Sequence, residues 1–264
     1  MKVFVISLKR ALDRRKFMTD QLDRLNLDYE ITDAVDFQQM TEEEFHEKVD
    51  QTAVSRNRFF TKGAQACALS HAQIYSQIVS QNIPYALILE DDANLPDNIN
   101  SLLNDLAAHI HENEIISLSY YHRWENSISL SNKGKEYVSG DNYLYYPIDL
   151  HHVGSAMAYI ITRQAAQNLL QTLRPISVIA DCWGLHYDNN TFSSFRCLYP
   201  QQLQPALFHT TIDYPNNKLF NRIARYIRKH KTPVLYNILL HKDKKNLAFK
   251  YNIKLTDEQP FFQV

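Results

Sequence analysis

The sequence predicts an α/β protein: one Rossmann-type mixed sheet flanked by helices, followed by a basic, helical C-terminal segment. Three observations carry that expectation. A strand, a helix and a second strand follow one another between Lys2 and Asp36, the order that builds a helix-covered sheet. Short apolar runs rich in β-branched residues alternate with stretches at helical spacing through residue 173. Beyond that the apolar runs shorten, prolines multiply, and the charge turns strongly positive.

Element by element, Lys2–Leu8 is a compact β-branched and aromatic run, a buried first strand. Asp13 can cap a helix whose apolar positions are Phe17, Met18, Leu22 and Leu25. Tyr29–Thr32 forms a second strand. Thr41 with Glu44 makes a capping box for a short helix over 41–49, and residues 52–62 are expected as a loop. A helix over 64–81 places Cys67, His71, Ile74 and Ile78 on one face, and Pro84 prevents its continuation. Tyr85–Leu89 is a short apolar strand running into Glu90, Asp91 and Asp92. Then follow an amphipathic helix over 98–112, a strand at 115–118, a hairpin or lid over 121–150, a strand at 154–161 and a helix at 163–173. The expected division is a catalytic body over 1–215 and an appended basic segment over 216–264.

Composition excludes several classes. With 264 residues, 45% hydrophobic and 12% aromatic, the chain can bury a sizeable core, and it contains no repeat or low-complexity tract. Three scattered cysteines, Cys67, Cys182 and Cys197, do not form a secreted disulfide framework. Lys9, Arg10 and Asp13 interrupt the apolar N-terminus too early for a signal peptide or a span, which predicts a cytoplasmic protein. Between Lys218 and Lys254 stand eleven Lys/Arg against one Asp, about +10, leaving about −11 on the remainder for a formal net of −1. Leu219, Ile223, Tyr226 and Ile227 recur at helical spacing within this segment, which suits a helix lying on an anionic membrane surface, or alternatively one docked on the acidic body. No nucleic-acid-binding motif accompanies the charge.

The acidic turn is the main chemical signal. Three adjacent carboxylates at the end of an apolar strand repel one another and resist burial. A hard divalent cation, Mn²⁺ or Mg²⁺, relieves both problems and keeps coordination positions for phosphate oxygens. Because side chains alternate along a strand, Glu90 and Asp92 form the expected working pair and Asp91 a brace. Such a turn lies where open α/β sheets bind ligands. Phosphohydrolases and two-metal nucleases fit these residues too.

Further residues single out one family. They are Val3–Leu8, Arg14-Arg15 with Met18, Ala34-Val35-Asp36, the Gly63–His71 segment containing Cys67-Ala68-Leu69-Ser70-His71, and Ala86–Ala93 containing Leu89-Glu90-Asp91-Asp92. Gly154-Ser155, Tyr159–Thr162 and Ala180-Asp181 complete the series. In these the chain resembles glycosyltransferase family 25, the bacterial lipooligosaccharide glycosyltransferases related to collagen galactosyltransferases. Phe37 and Ala66 depart from the family pattern, which often has glycine at both places, and the match fades beyond residue 183. The resemblance implies a GT-A-like fold, a nucleotide-sugar donor with UDP-galactose foremost and UDP-glucose next, inversion at the anomeric carbon, and a lipooligosaccharide core sugar as acceptor. Together with the interrupted N-terminus, the basic C-terminal segment predicts a peripheral position on the cytoplasmic face of the bacterial inner membrane.

Roles follow from what an inverting transfer needs: a base for the acceptor hydroxyl and a device to carry the leaving diphosphate. Asp181 is the expected base, its apolar neighbours raising its pKa and Trp183 offering a face to a sugar ring; capping of the following helix is its alternative role. Metal ligands are Glu90 and Asp92, with His209 as the third. Nucleotide-sugar contacts fall to Arg14, Arg15, Glu90, Asp91, Ser70 and His71. For His71 a core position is equally open, and Ser70 suits helix packing better than nucleophilic attack.

Overall fold

The computed structural model describes residues 1–208, 223–224, 226–227, 230 and 232–262. The expected mixed sheet flanked by helices is present. Strands β1 (Lys2–Ser7), β2 (Tyr29–Asp33) and β3 (Tyr85–Glu90) are parallel, with β1 in the middle. Next to β3 lies antiparallel β10 (Ala158–Thr162), then β5 (Glu114–Ser117), β11 (Ser194–Tyr199), β8 (Asn142–Pro147) and β7 (Ser127–Ser139). Asn252–Thr256, β13, pairs in parallel with β7 and completes a nine-stranded sheet. The C-terminal segment thus contributes a strand to the body sheet, after the helix α8 (Pro233–Lys250). The boundary expected near residue 215 falls outside the described residues. Short strands β4 (Ala93–Asn94), β6 (Tyr121–His122), β9 (Val153–Gly154) and β12 (Gln204–Pro205) form two small ladders at the rim.

Both faces of the sheet are covered, and the strand alternation assigns each side chain to a layer. Phe4, Ile6, Ile88 and Tyr159 pack under α2 (Glu42–Lys48), α4 (Lys62–Ser80), α6 (Arg163–Thr172) and α7 (Trp183–Asp188). Val3, Val5, Leu89 and Ile160 pack under α1 (Leu12–Arg24) and α5 (Ile99–Ala107). The predicted capping box is formed: Thr41 accepts from the Glu44 amide at 3.2 Å while Glu44 returns to the Thr41 amide at 2.9 Å. Two local expectations are corrected. Residues 51–56 form a helix, α3, because Asp50 caps the Thr52 and Ala53 amides; the weak apolar pattern there hid it. Asp13 lies inside the first turn of α1, whose N-cap is Ala11, and no side chain caps that end. The stretch 121–150 resolves into the β7–β8 hairpin within the main sheet.

Candidate active site

The carboxyl ends of β1, β2 and β3 open on one side of the sheet, and the acidic turn stands there because β3 is buried on both faces up to Leu89. Ser7, the last residue of β1, donates from Oγ to Asp91 Oδ2 at 2.6 Å, and Asp91 is buried. Arg14, in the first turn of α1, reaches over both aspartates: Nε lies 2.8 Å from Asp91 Oδ1 and Nη2 2.6 Å from Asp92 Oδ2. The repulsion inferred from sequence is therefore already eased by a side chain of the protein, which a strand pattern alone cannot reveal. Relief is incomplete. Burial, with the Glu90 charge next, pushes the Asp92 carboxyl up to about 7, and its Oδ1 is buried without a hydrogen-bond partner.

Glu90 is turned toward α4. Cys67 and His71, four residues apart on one helical face, bring Sγ to 3.9 Å and Nε2 to 3.5 Å from Glu90 Oε1. His71 is a core histidine as well, since Nδ1 lies 2.7 Å from the Tyr159 hydroxyl, which is in turn 2.7 Å from that of Tyr75. The Cys67 thiol is pushed well above its ordinary range by burial and then by the charges of Glu90, Asp181 and Asp92. Burial, and after it the charges of those same three carboxylates, raises the pKa of the Tyr251 hydroxyl. Residues far apart in sequence thus act on one another at one end of the sheet.

Asp181 sits among them with partners of its own. Arg123 Nη2 lies 2.9 Å from Oδ1, and the Ser155 amide donates to Oδ2 at 3.0 Å. Burial would raise this carboxyl, but the Arg123 charge and the amide bond outweigh it and hold the group below its usual range. The expected raised pKa is corrected accordingly: the apolar sequence neighbours are real, but the fold supplies a guanidinium. Nor does Asp181 cap α7, which begins after Cys182 with no side-chain cap. Trp183 is wholly buried, donating to the Ser155 carbonyl at 3.0 Å and packing on Tyr159 at 5.2 Å, so it offers no face to a sugar. Ser155, held from both sides, adopts φ 94°, a conformation that costs a non-glycine residue on the order of 1–3 kcal/mol and persists where surrounding contacts over-determine it.

A small cleft of about 90 Å³ lies beside the turn, lined among others by Arg14, Val35, Phe37, Cys67, Ser70 and Glu90. Phe37 and Ala66, the two departures from the family pattern, both line it. Arg15 turns away, donating to the carbonyls of Ser7 at 2.8 Å and Leu8 at 3.1 Å and pairing with Asp33, so it secures the end of β1. Ser70 donates to the Ala66 carbonyl at 2.7 Å and accepts from the Val35 amide at 2.9 Å, tying the 34–37 loop to α4 as a packing residue would. His209 lies outside the described residues. Arg123, Ser155, Cys67 and Tyr251 were not singled out from sequence as site residues. Two of them carried a signal: Cys67 by its spacing of four from His71, and Ser155 by its place in the Gly154-Ser155 pair.

Comparison with known proteins follows this geometry. The family model described as glycosyltransferase family 25 (LPS biosynthesis protein) matches residues 1–183. A putative glycosyltransferase of Haemophilus influenzae is 25% identical over 77% of this chain and 68% of that protein. The Xenopus laevis procollagen galactosyltransferase 1-A is 24% identical over 90% of this chain, but the match spans only 39% of that longer protein. A Bos taurus relative, 24% identical over 77% of this chain and 34% of its own length, is named a probable inactive member of the family.

Proposed function

The chain belongs to glycosyltransferase family 25, and from that premise we propose a metal-dependent inverting hexosyltransferase, moving galactose from UDP-galactose to a lipooligosaccharide core sugar. UDP-glucose is the nearest alternative donor. What supports activity, against the example of a relative named probably inactive, is one observation: Glu90 and Asp91 line a cleft at the strand ends, and the charges of Glu90, Asp181 and Asp92 all bear on the Cys67 thiol in its wall.

The donor set fits a divalent ion, because Asp92 keeps a buried oxygen without a partner. Glu90 and Asp92 would hold Mn²⁺ or Mg²⁺, with His209 as the proposed third ligand. Bound there, the ion would neutralise charge gathering on the departing UDP. The remaining tasks fall to the chain itself. Asp91, pinned by Ser7 and Arg14, fixes the turn. Arg14 borders the cleft and presents a guanidinium to the donor phosphates, while Ser70 shapes the wall. Arg15 and His71 act one step back, through the end of β1 and through Glu90. Asp181, ionised at neutral pH, orients the acceptor hydroxyl and takes its proton as the new bond to the anomeric carbon forms. Arg123 makes it a weaker base than an isolated carboxylate, which suits a late proton transfer.

The basic C-terminal segment is proposed to rest on the anionic cytoplasmic face of the membrane that carries the acceptor. Val234, Leu235 and Ile238 on α8 are exposed, and no helix among the described residues is long and apolar enough to cross a membrane. Incubation with Mn²⁺ and UDP-galactose should release UDP slowly, and Asp92→Ala should abolish the release. Calorimetry that finds no UDP-sugar binding in the presence of Mn²⁺ sinks the proposal.

A further inference from the structure

One cluster at the site is chemically unlike the rest. A hard ion is served by oxygen, yet Glu90 faces a thiol and an imidazole. The three ligand atoms, Cys67 Sγ, His71 Nε2 and one Glu90 oxygen, all lie within 4.8 Å of one another. One separation, 3.5 Å, lies within and the other, 3.9 Å, just beyond the roughly 3.3–3.8 Å between neighbouring ligands that stand ~2.0–2.3 Å from a tetrahedral zinc, so a small side-chain adjustment would close the site on an ion. An independent observation points to a ligand. His71 is 1% exposed, and its Nε2, aimed at Glu90, makes no hydrogen bond.

We propose that Cys67, His71 and Glu90 form a site for a thiophilic divalent cation, zinc or cadmium in class, distinct from the hard-ion site but sharing Glu90 with it.

The outer contacts suit this role. With Tyr159 at Nδ1, the tautomer that donates to the Tyr159 hydroxyl leaves the Nε2 lone pair free, and the Tyr159–Tyr75 pair fixes the ring. Cys67 and Glu90 both line the cleft, which gives the ion an entry path. When the ion binds, a metal–sulfur bond forms, the thiol proton leaves to solvent, and no electron is transferred. Cys182 and Cys197 gather no such partners among the described residues.

The consequence rests on the proposed donor site. An ion at Cys67–His71–Glu90 withdraws Glu90 from the carboxylates that would carry Mn²⁺, so zinc inhibits transfer by competing for a shared ligand. Zinc outranks manganese in intrinsic affinity for such donors, and the thiolate widens the gap.

Titration of the reduced, metal-free protein with Co²⁺ under nitrogen tests the site directly. The expected result is a thiolate-to-cobalt charge-transfer band saturating at one equivalent. The band should vanish in Cys67→Ser and persist in Cys182→Ser. Glu90→Gln should weaken Co²⁺ binding by about tenfold or more while near-ultraviolet circular dichroism stays unchanged. Should Cys67→Ser fail to fold, the zinc-edge absorption spectrum of the unaltered protein must show one sulfur at ~2.3 Å. No thiolate band in the unaltered protein, or a band retained in folded Cys67→Ser, overturns the assignment. Mn²⁺–UDP-galactose calorimetry reports separately on the donor site. A protein that binds the sugar nucleotide without a thiolate band refutes only the thiophilic site, and the reverse pattern refutes only the donor reading.

Discussion

Replacing Arg123 with alanine removes the group that lets Asp181 stay ionised inside the protein. Both side chains keep 18% of their exposure, so the pair is largely but not wholly desolvated. Breaking a fully buried ion pair costs about 3–5 kcal/mol, and the residual solvent contact places Arg123→Ala near the lower end, about 3 kcal/mol. For a chain of this size that lowers Tm by roughly 6–12 °C. The pH dependence supplies the sharper check. In the unaltered protein the Asp181 pKa is held below its unfolded value, so its contribution is present above the unfolded pKa and is lost as pH falls through the folded pKa. Without Arg123, burial dominates and the folded pKa rises above the unfolded value, so the variant is penalised most at neutral pH and recovers as the carboxyl protonates. The difference between the two proteins should therefore shrink as pH drops from 7 toward 4, and Arg123→Ala/Asp181→Asn should regain much of the loss at pH 7. Urea denaturation across that range decides the matter. A loss below about 1 kcal/mol at pH 7, or no rescue by the second substitution, refutes the electrostatic account.

Three other outcomes are expected. In α7, Gly184→Ala should destabilise by about 1–3 kcal/mol in thermal melts, the reverse of the usual helix preference for alanine. The reason is that a Cβ there would meet the His151 backbone Cα at 2.6 Å and its ring Nδ1 at 2.5 Å. Arg196 and Glu114, both 1% exposed, pair at 2.6 Å and 2.8 Å, so Arg196→Met strands a buried carboxylate and should cost about 3–5 kcal/mol, recovered in part by adding Glu114→Gln. Because the Asp92 carboxyl is raised to about 7 and must be ionised to hold a cation, apparent Mn²⁺ affinity should rise roughly tenfold from pH 6 to pH 8. Calorimetry in buffers of differing ionisation heat should record the released proton.

Much of the parallel half of the sheet was legible because burial on both faces leaves an unmistakable run. Val3–Ile6 and Ala86–Leu89 have no polar interruption, and the acids had to stand where the strand meets solvent. The pairing of acids with guanidinium groups was not legible. Arg14 lies in the first turn of α1, seven residues after β1 ends, and only the packing of α1 on the sheet brings it to Asp91 and Asp92. Arg123 comes from a polar, aromatic stretch without periodicity, and Tyr251 from the far end of the chain, so neither could be placed beside Asp181 by spacing. Trp183 misled for the same reason. Two residues on from Asp181, it turns inward at the start of α7, where sequence adjacency says nothing about exposure.

The grip of Arg14 on Asp92 has a kinetic side. On the proposed reading, a divalent ion at the turn would compete with a guanidinium tethered to the same carboxylate and present at the high effective concentration of an intramolecular partner. Its net affinity would then be a difference between two attractions. A guanidinium so released would stay beside the cleft it borders, as an anion-binding group of the chain itself. With Arg14 in place, Asp91 and Asp92 keep a counter-ion that belongs to the chain, so the turn does not depend on a bound metal to hold its shape.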